Sequence, residues 1–226
     1  MISEDEATLA TCDGARLEAR ISLPSTPPGG VVICHPHPLY GGDMDNPVVV
    51  RVAEVCRELG LATLRFNFRG VGASTGQHGQ GRDERHDVTA ALAHFASVLP
   101  SGAPLGLAGY SFGAAVAARV AGERAEAPPL TAVALVAPPV AMTGDEPFVA
   151  LASLTARLLV VAGDHDEYCP VAALHALGRR LPSAEIKVIE GANHFFFGKL
   201  YPLGQAVADW SRALEARQAG RGHGAG

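Results

Sequence analysis

The chain has 226 residues, 48% of them hydrophobic, and a formal net charge of −5. That length suits one large domain or two small ones, with ample apolar material for a core. No basic stretch marks a nucleic-acid face, no run approaches the ~18 apolar residues of a membrane helix, and four cysteines without a CxxC pair exclude a disulfide framework.

The first ten residues, MISEDEATLA, are acidic and lack the basic start and apolar run of a signal peptide. A cytoplasmic protein is expected. Two alternating segments follow, EATLATCD and ARLEARISLP. Asp13-Gly14 between them predicts an antiparallel hairpin. VVICHP reads as a buried strand, short, β-branched and ended by proline. Over residues 47–59, Val48, Val52, Val55, Cys56 and Leu59 recur at helical spacing. Asn46 is the candidate cap, Pro47 fits the first turn, and Gly60 ends the helix.

LATLRFNF is the next strand and RGVGASTG its turn, with Arg69 expected to pair with a carboxylate near a site. Residues 83–99 read as a helix, PLGLAGY as a strand and 112–121 as a helix. Strands follow at LTAVALVAPP, ARLLVVAGD and AEIKVIEG, with a helix at PVAALHALGRRL and a last one over residues 203–216. Strands thus alternate with helices from Val31 onward. That predicts a mostly parallel twisted sheet with helices on both faces and a small antiparallel start. One domain is expected over residues 1–219, with 220–226 a frayed tail. Ligands of such sheets bind beyond the carboxyl ends of the strands.

GYSFG, residues 109–113, falls between the strand PLGLAGY and a helix. Its glycines remove side chains where strand and helix would collide, and Ser111 is presented at the bend. This is the G-x-S-x-G nucleophile elbow. A glycine-flanked helix cap is the plainer reading, but the strand-to-helix context favours the elbow. A serine hydroxyl needs a base to take its proton. His194, in the loop after AEIKVIEG, lies on the same sheet edge. His78, His86, His94, His175 and His223 read as ordinary surface, core or tail residues. The imidazole needs an acid to orient it. VVAGDHDEYCP offers Asp164, Asp166 and Glu167; Asp166, three residues past Gly163, is favoured by its reach, and Asp164 is the alternative acid, or else holds the turn. The order Ser111, Asp166, His194 is the one this architecture requires.

Elbow, acid loop and histidine loop together resemble the α/β-hydrolase superfamily over nearly the whole chain. CHPHPLYGGDMDNPVV and RFNFRGVGASTG are similar to small bacterial members described as predicted serine hydrolases related to dienelactone hydrolase. The dienelactone hydrolases carry a cysteine nucleophile, whereas position 111 is serine. The resemblance implies a Ser-His-Asp triad, ester or related acyl hydrolysis, and no cofactor. It also implies an oxyanion hole made by the N–H of Phe112 and a donor from the loop HPHPLYGG, His37 or Leu39 depending on alignment. Tyr40 and Phe195 are candidates for the substrate pocket, and one of Phe195, Phe196 and Phe197 should pack beneath His194.

His35 and His37 with nearby aspartates suggest a metal site as an alternative. The H-x-H is not followed by the D-H of common metallohydrolases, and its prolines make it a rigid loop, so no metal is expected. Residues 140–155 leave room for one short helix at most, too little for a large cap. A shallow, open site and short-chain or accessible ester substrates are therefore expected, cleaved by a monomer or homodimer that binds neither nucleic acid nor membrane. Thioesters, lactones or small peptides would use the same machinery. A non-catalytic binding protein of this fold is the alternative of another class.

Overall fold

A computed structural model describes residues 4–123 and 128–215; the expected tail, residues 220–226, lies outside them. The opening hairpin forms as its alternation predicts. β1 (Asp5–Ala10) pairs antiparallel with β2 (Arg16–Ser22), around Gly14 at φ +92°. β3 (Gly30–Cys34) is followed by α1 (Pro47–Glu58), whose first turn is capped by Asn46 Oδ1 accepting the Val48 N–H at 3.0 Å. Then come β4 (Ala62–Phe66), α2 (Glu84–Val98), β5 (Leu105–Tyr110) and α3 (Phe112–Glu123). β6 (Ala132–Val136) leads to α4 (Val140–Thr143) and α5 (Glu146–Val149), and the chain ends with β7 (Arg157–His165), α6 (Val171–Arg180), β8 (Ala184–Asn193) and α7 (Leu200–Ser211).

The eight strands form one sheet in the order β1-β2-β4-β3-β5-β6-β7-β8. β2 pairs antiparallel with β4, and every later pairing is parallel. Strands β3, β4, β5 and β6 are buried throughout, as apolar runs covered on both faces must be. One core packs α2, α3 and α6 against the sheet through residues such as Phe95, Val116 and Leu174. The other packs α1 and α7 through Val52, Leu203 and Trp210. This is a single-domain α/β fold without a large cap. Among the described residues, no helix is long and apolar enough to cross a membrane.

Two expectations need correction. Residues 140–155 hold not one short helix but three single turns: α4, α5 and a 3-10 turn at Ala150–Ser153. Gly144, at φ +67°, breaks the first from the second, and Pro147 has no N–H with which to extend a helix back across the break. The last helix also begins earlier than expected, at Leu200. Pro202 falls in its first turn, where a missing N–H costs no intrahelical bond.

Arg69 does take carboxylate partners. Its guanidinium reaches Asp87 Oδ1 at 2.7 Å and Asp13 Oδ2 at 2.8 Å. Both bonds tie the β4 turn to α2 and the opening hairpin, and neither aspartate lines the cavity described below.

Candidate active site

The sheet positions its chemistry through three loops at the carboxyl ends of β5, β7 and β8. The first is the turn into α3. A Cβ built on Gly109 would lie 2.3 Å from the Gly113 carbonyl oxygen, and one on Gly113 would lie 2.5 Å from the carbonyl oxygens of Cys34 and His35. Only glycine lets strand, helix and the β3 loop approach so closely. Ser111, between them, adopts φ +53°, a left-handed conformation costing about 1–3 kcal/mol for a residue other than glycine. Its N–H continues the ladder to the Val136 carbonyl at 2.9 Å. The strain is held by sheet and helix on either side, and it turns the hydroxyl out of the strand.

That hydroxyl meets the β8 loop. Ser111 Oγ lies 2.9 Å from His194 Nε2, and His194 Nδ1 lies 3.0 Å from both carboxylate oxygens of Asp166. Asp166 Oδ1 also accepts the N–H groups of Tyr168 and Cys169, each at 2.9 Å. These bonds fix the carboxylate at the end of β7, pointing at the imidazole. Asp164 makes no hydrogen bond to Ser111 or His194, and its Oδ1 is buried without a hydrogen-bond partner among the described residues. The three side chains singled out in the sequence are thus brought together and nearly buried, while Asp164 stands apart.

Further groups hold this arrangement, of which Tyr110, Asn193 and Tyr168 were not singled out in the sequence. Tyr110 donates its phenolic hydrogen to the His194 carbonyl at 3.0 Å, tying the elbow to the histidine loop. Asn193 Oδ1 accepts the Phe195 and Phe197 N–H groups at 3.1 and 3.3 Å, an Asx-type turn whose signal was the Asn before the histidine. Phe196, at φ +54°, is buried against Tyr110. Phe195 touches the His194 ring edge-on and is half exposed at the cavity mouth. The Tyr168 ring packs against His194 with centroids 4.6 Å apart.

The β3 loop arches over the start of α3. His35 is fully buried. Its Nδ1 lies 2.6 Å from the Pro36 carbonyl, and its Nε2 accepts the Phe68 N–H at 2.9 Å. Both ring nitrogens are therefore spent inside the fold. Desolvation pushes its pKa down to about 4, and a proton on Nε2 would face the Phe68 N–H. The folded protein then binds fewer protons at this site than the unfolded chain between about pH 4 and 6.5. Stability is lost as pH falls through that window, by about 3 kcal/mol in all. Urea unfolding at pH 7.5 and 4.5 reads this loss, and His35→Gln should flatten the difference.

His37 is half-buried, its ring against Tyr40, His78 and Phe112 at centroid distances of 4.7, 5.0 and 4.9 Å. Its Nδ1 accepts the Leu39 N–H at 3.2 Å, so that Leu39 amide is already engaged. The N–H of His37 itself has no protein partner among the described residues. His78, read from the sequence as an ordinary histidine, lies at the cavity with Nδ1 2.8 Å from Glu84 Oε1. Glu84 is fully buried and accepts the N–H groups of Gly79 and Gly81 at 2.7 Å each. This clamp holds the 78–81 loop, including Gln80 at φ +55°, against the cavity. No sequence pattern marks it, because Glu84 reads as an ordinary first-turn acid of α2.

The cavity encloses about 710 Å³, within the range of small-molecule sites. Ser111 and His194 line it, and Tyr40 and Phe195 stand at its walls. Residues after β6, among them Pro139, Met142 and Pro147, form a further wall. The expected shallow site is therefore a cleft, because the single turns of 140–153 fold against α3 and not away from it.

The mostly parallel sheet with helices on both faces, and a cleft at the carboxyl ends of its strands, define an α/β hydrolase. A family model of the alpha/beta hydrolase domain matches residues 31–209. The chain belongs to the α/β-hydrolase family. It is similar to an α/β serine hydrolase homologue from Coxiella burnetii, with 36% identity and a TM-score of 0.82, covering 92% of this chain and 98% of the other. An α/β serine hydrolase without a lid from Xanthomonas campestris is 30% identical with a TM-score of 0.80, over 94% of this chain and 95% of that one. An uncharacterized protein of Rickettsia prowazekii is 31% identical over 208 residues, 89% of this chain and 86% of its own length.

Proposed function

We propose that the protein is a serine hydrolase that cleaves carboxylic esters of accessible acyl groups through an acyl-enzyme. The observation that carries this reading is the unbroken chain Ser111 Oγ, His194 Nε2, His194 Nδ1, Asp166, with contacts of 2.9 and 3.0 Å. Ser111 attacks the ester carbonyl as its proton passes to His194 Nε2. Asp166 holds the imidazole with Nδ1 protonated and stabilises the imidazolium. The tetrahedral oxyanion is bound by two backbone N–H groups. Phe112, the first residue of α3, has an amide without an intrahelical acceptor. His37 is favoured over Leu39 for the second, since the Leu39 amide already bonds to His37 Nδ1. Loss of one such donor costs about 3 kcal/mol in the transition state. The tetrahedral species collapses as His194 returns its proton to the departing alkoxide. Water, deprotonated by His194, then attacks the acyl-enzyme, and Ser111 leaves with the proton restored.

A fluorophosphonate probe tests the class and the nucleophile together. Labelling confined to the peptide bearing Ser111 is expected, followed by loss of p-nitrophenyl butyrate turnover. No label, on folded protein, would favour the non-catalytic binding reading. Label without ester turnover would move the substrate to thioesters, lactones or small peptides.

A further inference from the structure

The cavity does not end at Ser111. It runs along one face of α3, past Phe112, Ala115 and Val116 to Arg119. These positions are spaced at i, i+3, i+4 and i+7, so they form a single stripe of the helix. Opposite them stand Pro139, Met142 and Pro147. The trough is mostly apolar, with Thr143 beside Met142 on its far wall, and ends in a guanidinium. Arg119 is the single lysine or arginine among the lining residues, and no aspartate or glutamate is among them. Asp166 is directed at His194, and Glu84 lies buried behind His78. The one permanent charge in the lining is therefore positive, and it is paired from outside the lining by Glu146.

Arg119 already shows which group it holds. Its Nη2 lies 2.6 Å from Glu146 Oε2 and its Nη1 3.2 Å from Oε1, a two-pronged carboxylate contact. Both partners are reached by solvent: the Arg119 side chain is 36% exposed and that of Glu146 is 70% exposed. An ion pair this exposed contributes little to stability, so another carboxylate can take the place of Glu146 at small cost. Glu146 belongs to α5, a single turn, and its neighbour Asp145 makes a second exposed pair with Arg180 at 2.7 Å.

We infer that the substrate carries a carboxylate at the far end of its acyl chain: an ester of a dicarboxylic half-acid whose free carboxylate displaces Glu146 from Arg119. Hydrolysis with one water then gives the dicarboxylate and the alcohol. Eight residues separate Ser111 from Arg119, about 12 Å of helix, and arginine side chains lean back toward the helix N-terminus, so an acyl chain of roughly six to eight carbons fits the interval. This inference rests on the serine-hydrolase reading given above.

The experiment compares p-nitrophenyl monoesters of succinate, adipate and suberate with the p-nitrophenyl butyrate, hexanoate and octanoate of equal length. The readout is the ratio of kcat/KM for the carboxylated over the neutral ester, which cancels any general loss of activity. In the unaltered protein the ratio should rise with length and exceed one at six or eight carbons. Arg119→Met should lower it about tenfold there and leave it unmoved at four carbons. Arg119→Lys, which keeps the charge and loses the fork, should fall between. Glu146→Gln should raise it about threefold by freeing the fork. A ratio below one at every length overturns the inference, as does a ratio indifferent to Arg119→Met and Arg119→Lys in variants that still cleave the neutral esters. If no ester is cleaved and the fluorophosphonate does not label Ser111, the serine-hydrolase reading has failed and this inference falls with it.

Discussion

Replacing Ser111 by alanine is expected to lower kcat/KM for p-nitrophenyl butyrate by about 10⁵–10⁶-fold, to a trace set by binding and the oxyanion donors. The loss is that large because, in the proposed mechanism, the Ser111 oxygen is the atom that reacts. His194 positioned 2.9 Å away has nothing left to activate. The fold should not respond. Serine and alanine share a Cβ, so the φ of +53° at position 111 is no more strained in the variant. The elbow's close contacts involve Gly109 and Gly113, which are untouched. The Ser111 N–H keeps its bond to Val136. A thermal melt unchanged within about 0.5 kcal/mol, with turnover gone, is the expected pair of results. Retained turnover would require another nucleophile. The nearby thiol of Cys34 is a poor replacement, being fully buried with its pKa raised by desolvation.

Groups that lie at the end of a strand were legible in the sequence, and groups that act sideways were not. Each of Ser111, Asp166 and His194 follows an apolar run closely, so the parallel-sheet reading alone puts them on one edge. The order of strands in the sheet then brings β5, β6, β7 and β8 side by side, and the three loops meet. Tyr110, Glu84 and His78 send no such signal. Tyr110 sits in the variable position of the elbow motif and acts on a carbonyl 84 residues away. Glu84 organises a loop that precedes it, through backbone N–H groups that any sequence would possess. Arg69 is an intermediate case. Its need for a carboxylate was legible, but its partners come from β1's turn and from α2, which only the folded chain brings together. The segment after β6 was misjudged for a similar reason. Its length excluded a large cap, yet length does not say whether short turns fold outward or against α3.

The sequence left the choice between Asp164 and Asp166 open, with Asp166 favoured by its reach and by the family resemblance, and substitution tests it sharply. Asp166→Asn is expected to lower kcat for p-nitrophenyl butyrate by about 10⁴-fold, whereas Asp164→Asn should change it less than threefold. An asparagine at 166 would keep its carbonyl oxygen toward the N–H groups of Tyr168 and Cys169, which point at Oδ1 from 2.9 Å. Its amide nitrogen then faces His194 Nδ1 as a donor. When Nδ1 accepts that N–H, the imidazole proton moves to Nε2, and Nε2 loses the lone pair that takes the proton of Ser111 in the proposed mechanism. The site would look intact and hold the wrong tautomer. The same argument predicts partial recovery at high pH, where hydroxide can remove the Ser111 proton directly, and a rate rising with pH in Asp166→Asn is the signature to measure. Asp164 makes no hydrogen bond to any of these atoms, and replacing its carboxylate, whose Oδ1 is unpartnered among the described residues, by an amide should leave the imidazole as it was. If Asp164→Asn proved the inactive variant and Asp166→Asn the active one, the charge that stabilises the imidazolium would have to come from a rearranged β7 loop, and the 3.0 Å contacts to His194 would not be those of the working enzyme.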